Sequence, residues 1–140
     1  MIIRQLSVFL ENTSGRLTEV TDTLGEMGIN ISALSIADTA DFGILRMIVA
    51  QPEKAVEALR GRGFSVSLTD VICVVIDDVP GSLSRVLRVL SDHGVSIEYM
   101  YAFAFGDKAS AVIRTEAVEE AIRVLQENQM ELRTSEEIHS

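Results

Sequence analysis

An internal repeat constrains the fold of this chain more than any other feature of its sequence. Shifted by 66 residues, the distance from Gly15 to Gly81, the sequence aligns with itself without a gap. Identical pairs at this offset include Gly15 and Gly81, Leu17 and Leu83, Val20 and Val86, Leu24 and Leu90, Gly28 and Gly94, Ile31 and Ile97, Asp41 and Asp107, Ala55 and Ala121, and Leu59 and Leu125. A constant offset through turns and regular elements indicates two copies of one structural unit. We place the two domains at 1–68 and 69–140.

Each copy is predicted to run strand, helix, strand, strand, helix, strand. In the first copy these are strands at 3–10, 30–37, 44–50 and 64–68, a helix at 17–28 and a helix from Pro52 to 61. In the second they are strands at 71–76, 96–105, 109–114 and 130–133 and helices at 80–93 and 117–127, before a frayed tail at 136–140. The order βαββαβ predicts the α+β class: two tandem ferredoxin-like sandwiches, with helices on one face of antiparallel sheets.

The run from Asp77 to Leu83 carries the strongest signal for a binding site. It joins an apolar strand to a helix, with Pro80 suited to the first helical position and Gly81 free of a Cβ. Such a junction directs unpaired backbone N–H groups at one spot, where the helix dipole also favours a carboxylate or phosphate. Because Gly15 stands at the equivalent place in the first copy, we predict that both copies contain this loop.

Charge and cysteine content exclude several functions. The 21 acidic and 12 basic residues give a net charge of −9, which disfavours nucleic acid and anionic membranes as partners. Cys73 is the only cysteine, so no intrachain disulfide is possible. No His/Cys cluster has metal-ligand spacing, and the glycine loops do not match phosphate-binding or dinucleotide patterns. With no signal peptide or transmembrane segment in the pattern, we expect a cytoplasmic protein without a cofactor.

Four stretches resemble the ACT domain, a small amino-acid-sensing module of regulated metabolic enzymes. They are 77–83 and 93–97 in the second copy, and 11–17 and 27–31 in the first. The runs 40–46 and 97–101 add a similarity to stand-alone tandem ACT proteins of bacteria and archaea. The resemblance covers nearly the whole chain and leaves no room for a catalytic domain.

The resemblance implies that a free amino acid binds at interfaces between ACT units. The ligand-binding residues carried over from it are Asn12, Thr13, Ser14, Gly15, Arg16, Leu17, Asn30, Ile31, Asp78, Val79, Pro80, Gly81, Ser82, Leu83, Ser96 and Ile97. Asn12 and Asn30 stand where ACT domains that bind small amino acids use two asparagines, whereas the second copy has Asp78 and Ser96 there. An amide can accept from an ammonium and donate to a carboxylate. The resemblance therefore favours the first copy for side-chain recognition.

The function predicted from these observations is that of a regulatory, non-enzymatic protein that senses an amino acid, works as a homodimer and acts on a regulated metabolic enzyme. One alternative is an interaction subunit that docks such an enzyme without any ligand. A second is a small enzyme that uses Arg46 and acidic residues. The alternating rings of Tyr99, Tyr101, Phe103 and Phe105 share one sheet face, which indicates either an interface or a core beneath the helices.

Overall fold

The computed structural model describes residues 1–11, 13–38 and 41–139. In chain order its elements are β1 (Ile3–Glu11), α1 (Arg16–Glu26), β2 (Ile31–Asp38), β3 (Phe42–Val49), α2 (Pro52–Gly61), β4 (Ser65–Asp77), α3 (Ser82–Asp92), β5 (Tyr99–Phe105), β6 (Lys108–Arg114), α4 (Val118–Glu127) and α5 (Ser135–His139). They form two compact units. The first unit is Arg4–Thr69, and the second is Asp70–Ile138 together with Met1–Ile3.

In the first unit the strand order is β2-β3-β1-β4. β3 is antiparallel to both neighbours, with Met47 opposite Leu6 on one side and Leu34 on the other. Alternation along the strands sends one set of side chains towards α1 and α2, where burial removes them from water. The resulting core contains Leu6, Val8, Leu10, Val20, Leu24, Ile29, Leu45, Met47, Val49, Ala55, Val56, Leu59, Phe64 and Val66.

The second unit repeats this arrangement with the strand order β4-β6-β5. Its core lies between these strands and α3 and α4, and contains Ile72, Val74, Val86, Leu90, Val95, Ala111, Ile113, Ala121, Leu125 and Leu132. The α+β class with helices on one face of antiparallel sheets is thereby confirmed.

Backbone hydrogen bonds recur at the offset of the sequence repeat. The equivalent pairs are Glu19 N to Gly15 O (3.0 Å) and Arg85 N to Gly81 O (3.1 Å), Ile29 N to Leu24 O (2.9 Å) and Val95 N to Leu90 O (3.0 Å), and Phe64 N to Leu59 O (3.1 Å) and Met130 N to Leu125 O (3.0 Å). The two units therefore share turn and cap geometry as well as topology.

Several local predictions differ from the structure. The strands predicted at 64–68 and 71–76 are one continuous strand, β4, and the strand predicted at 96–105 begins at Tyr99. Pro80 does not begin α3, because Gly81 takes a left-handed conformation and the helix starts at Ser82. The predicted strand at 130–133 is reduced to a single bridge between Val74 and Leu132. The predicted frayed tail instead includes α5, whose Ile138 is buried.

The rings of Tyr99, Tyr101 and Phe103 in β5 face away from the helices. Tyr101 and Phe103 are opposite Val112 and Ser110 in register, whereas the helix-facing core uses Ala111 and Ile113. Tyr99, Tyr101 and Phe103 are half-buried, and the side chain of Phe105 is outside the described ones. For Tyr99, Tyr101 and Phe103, the alternative that the rings fill the core beneath the helices is wrong.

Candidate functional site

The two strand-to-helix loops have the same backbone geometry. Gly15 and Gly81 are the residues before α1 and α3, with φ of 89° and 91°, a left-handed conformation that glycine adopts without strain. Arg16 N–H donates to the Thr13 carbonyl at 3.4 Å, and Ser82 N–H donates to the Val79 carbonyl at 3.3 Å. The glycines predicted from sequence therefore hold two equivalent turns.

Each of these helices starts without a side-chain cap in the described part of the chain. For α3, the described residues also provide no acceptor for the N–H groups of Leu83 and Ser84. Free N–H groups at a helix start carry the positive end of the helix dipole and favour an anion. The predicted residues 13–17 and 78–83 thus gather at two such helix starts.

Asn30 and Ile31 lie at the other end of the first unit's sheet. Ile31 is opposite Val49 at the end of β3, whereas Glu11 is opposite Phe42 at its start. Seven strand residues at about 3.3 Å each separate these positions by roughly 23 Å. One unit cannot bring Asn30 and the Gly15 loop to one small ligand. Asn12 lies outside the described residues.

Ser96 and Ile97 occupy the equivalent place in the second unit. Ser96 is exposed and its carbonyl accepts a hydrogen bond from Thr115 Oγ1 at 2.7 Å, while Ile97 packs on the second core. They precede β5, whereas residues 78–83 follow β4. The structure therefore gathers each loop but does not join it to the asparagine or serine of its own unit.

A cleft of about 530 Å³ opens beside the Gly81 loop. Its wall is formed by Val75, Ile76, Asp77, Val79, Pro80, Gly81, Ser82, Arg85, Val86, Lys108, Gln129, Met130 and Glu131, all within the second unit. The volume lies in the range of small-molecule sites, which is roughly 300–1,000 Å³. Of the predicted site residues, Val79 to Ser82 line this cleft.

Charges of both signs surround the cleft. Lys108 Nζ donates to Asp77 Oδ1 at 3.0 Å, and this hydrogen bond raises the pKa of Lys108. Arg85 and Glu131 form no ion pair with the described residues. A zwitterion could find partners for both of its charges here.

The equivalent place in the first unit is occupied by the protein's own side chains. The Arg16 guanidinium carbon lies 4.2 Å from the centroid of the buried Phe64 ring. Arg16 NH1 also pairs with Glu19 Oε2 at 2.8 Å, and Arg16 Nε is buried with no hydrogen-bond partner among the described residues. The Phe64 ring therefore covers the Arg16 guanidinium through a cation–π contact.

Sequence reasoning missed the far wall of the cleft, formed by Lys108 and residues 129–131. The repeat contained a signal for this wall, because Gln129 stands where the first copy has a glycine, Gly63. Gly63 has φ 88° and Gln129 has φ 58°, so the second unit accepts a left-handed conformation at a residue with a side chain.

Other candidate groups have structural surroundings. Cys73 is buried, which raises the pKa of its thiol to about 11. His93 Nδ1 lies 2.9 Å from the Val89 carbonyl at the end of α3. Over residues 1–11, 13–38 and 41–139, no three His, Cys, Asp or Glu side chains are placed to hold a metal ion. Within the same ranges, no helix is long and apolar enough to cross a membrane.

The comparisons with known proteins agree with this duplicated fold. The crystal structure of protein BT0572 from Bacteroides thetaiotaomicron has 49% identity and a TM-score of 0.96, with 100% of this chain and 97% of that chain covered. A ligand-free regulatory subunit of aspartate kinase from Thermus thermophilus shares the fold at 21% identity and a TM-score of 0.68, with coverage of 89% and 91%. The corresponding subunit from Thermus flavus has 20% identity, a TM-score of 0.63 and coverage of 89% and 90%.

No curated protein matches the chain. The profile of the family described as an ACT domain pair matches residues 1–140. The chain therefore belongs to the ACT domain family, as an ACT domain pair.

Proposed function

We propose that this ACT domain pair is a non-catalytic regulatory protein that binds a free amino acid. The observation that carries the proposal is the repeated helix start, at Gly15 and again at Gly81, for which the described residues supply no side-chain cap. Each helix start supplies donors for an α-carboxylate, and residues 13–17 and 78–83 are the proposed contacts. We keep 1–68 and 69–140 as the proposed functional domains.

The remaining predicted contacts require a second ACT unit. Asn30 and Ile31, or Ser96 and Ile97, can reach a ligand at a helix start only if they come from another ACT unit, because each pair lies far from its own loop. We therefore keep the homodimer as part of the proposal, and with it the asparagine pair of Asn12 and Asn30. Ligand binding would stabilise one arrangement of the dimer over another, which is how binding can become a signal.

The proposed partner is a metabolic enzyme in the cytoplasm. Two structures with the same fold are regulatory subunits of aspartate kinase, so an enzyme of amino acid metabolism is the class of target that we propose. A sensor works at ligand levels near its Kd, on the order of μM to mM, or roughly −8 to −4 kcal/mol. A few hydrogen bonds and one ion pair are sufficient for such an affinity.

A thermal-shift screen of the twenty amino acids tests the proposal. We expect one or a few to raise the melting temperature at millimolar concentration, because a ligand that binds only the folded state stabilises it. A ligand at a hundred times its Kd adds about 2.7 kcal/mol to the free energy of unfolding. A flat response to all twenty would contradict amino acid sensing.

The exposed apolar side chains of the first unit favour a second candidate, a docking module without a ligand. Phe9 and Phe42 remain 49% and 52% exposed, and Leu34 and Ile36 on the edge strand β2 are nearly as exposed. Exposed apolar groups of this size commonly mark interaction surfaces. Co-purification with a metabolic enzyme, together with a flat amino acid screen, would favour this candidate over sensing.

A further inference from the structure

The two units treat the same position in opposite ways. In the first unit, Arg16 rests on Phe64 and pairs with Glu19. At the offset of 66 residues, these three become Ser82, Met130 and Arg85, and all three line the open cleft. A serine is too short to cover the space that an arginine side chain fills in the other unit.

The charges are also reversed between the units. Glu19 supplies a carboxylate that holds the Arg16 guanidinium, whereas the equivalent Arg85 supplies a guanidinium with no ion pair among the described residues. A position that holds a cation in one unit is therefore suited to a carboxylate in the other. Arginine binds carboxylates through two parallel N–H donors, which gives such a contact direction as well as strength.

The cleft holds further groups that fit an amino acid. Glu131 lies on the wall beside Lys108 and has no ion pair within the described residues, so it can accept from an ammonium. Val79, Pro80 and Met130 form an apolar part of the wall. Met130 replaces the rigid ring of Phe64 with a flexible thioether chain, which adapts to ligand side chains of different shape.

We infer that the cleft of the second unit is a carboxylate-binding site centred on Arg85 and Ser82, and that the Arg16 side chain fills the equivalent cleft of the first unit, where the backbone donors of residues 13–17 remain as proposed contacts. The identity of the ligand as an amino acid rests on the proposed function. The α-carboxylate contacts Arg85, the ammonium faces Glu131, and the side chain lies against Met130. Each chain then offers one open cleft of this kind instead of two.

The test is an NMR titration of the isotope-labelled full chain, with each of the twenty amino acids and, separately, with succinate as a simple carboxylate probe. We expect saturable shifts of the amide signals of residues 81–85 and 129–131. The double variant Ser82→Arg/Arg85→Glu copies the Arg16–Glu19 pair into the cleft and should abolish these shifts. Arg85→Gln alone should weaken binding about 10-fold or more, through loss of a charged hydrogen bond.

Arg88→Glu is the matched control, because Arg88 is exposed on the same helix and does not line the cleft. It should leave binding within about twofold, since an exposed charge outside the site contributes little. Far-ultraviolet circular dichroism and the melting temperature report whether each variant is folded. If the double variant does not fold, Arg85→Gln carries the test by itself.

The outcomes separate this inference from the proposed function. An amino acid that binds the double variant with unchanged affinity, or shifts residues 13–19 instead, overturns the cleft assignment and leaves sensing intact. Succinate saturating the cleft while no amino acid binds supports the carboxylate site and overturns amino acid sensing. If neither succinate nor any amino acid shifts any signal of the chain, both ideas are wrong.

Discussion

Gly15 and Gly25 allow the left-handed start of helix α1 to be tested within a single element. Gly15 precedes the helix at φ 89°, and Gly25 lies inside it without a positive φ. A Cβ built on either residue meets no atom within 4 Å. Substitution by alanine therefore changes only the backbone contribution to stability at both positions.

The expected effects have opposite signs. In Gly15→Ala, the left-handed conformation costs about 1–2 kcal/mol. The smaller number of unfolded conformations offsets about 0.4–1 kcal/mol of this cost, so the net loss is about 1 kcal/mol. In Gly25→Ala, the same entropic gain applies without strain, and the helix is stabilised by about 0.5–1 kcal/mol. The two variants should therefore differ by about 1.5 kcal/mol or slightly more.

Urea unfolding of the two variants and the parent chain measures this difference. With a slope of about 1–3 kcal/mol/M, the midpoints of Gly15→Ala and Gly25→Ala should differ by roughly 0.5–1.5 M. Gly81→Ala, at φ 91°, should match the sign of Gly15→Ala. If Gly15→Ala is as stable as Gly25→Ala, the left-handed start of α1 does not exist in solution.

Two further predictions concern buried groups of the second unit. Burial raises the pKa of Cys73 from 9.0 to about 11, so the protonated thiol's contribution to stability is complete below pH 9 and is lost as pH rises to about 11. In urea melts across that range, the free energy of unfolding of Cys73→Ala should therefore fall by about 2 kcal/mol less than that of the parent chain. A parallel decline would contradict this. Arg133 is 8% exposed and donates to Ser110 Oγ at 2.7 Å, so Arg133→Ala should cost about 2 kcal/mol. Replacing the exposed Arg123 by alanine should cost clearly less in the same assay, because exposed ion pairs contribute little, and equal losses would refute the contrast.

The repeat made much of the fold predictable. Both copies have the same spacing of apolar residues and glycines, so each element predicted in one copy is supported by the same pattern in the other. Gly28 shows how local this information is, because a left-handed glycine after α1 at φ 71° is what its place in the apolar pattern predicts. The prediction that Pro80 begins α3 was wrong, because the left-handed turn at Gly81 sets the first residue of the helix.

Features that depend on tertiary contacts were less predictable. Residues 136–140 have a polar pattern, but Ile138 is buried and α5 forms at the tail. The far wall of the cleft comes from Lys108 and residues 129–131, which are distant in sequence from Gly81. The periodic spacing of apolar residues along the chain does not indicate which residues come together only after the sheet has formed. The aligned differences at Ser82, Arg85 and Met130 were visible in the sequence, but their meaning required the contact between Arg16 and Phe64.

That contact has a consequence for how a duplicated gene can diverge. Once two copies of a unit exist, an arginine at position 16 is enough to fill the cleft of one copy with the protein's own side chain. The second unit, with a serine at the equivalent position, keeps its cleft open. The substitution Arg16→Ser would give both units a serine at this position and would remove the side chain that rests on Phe64.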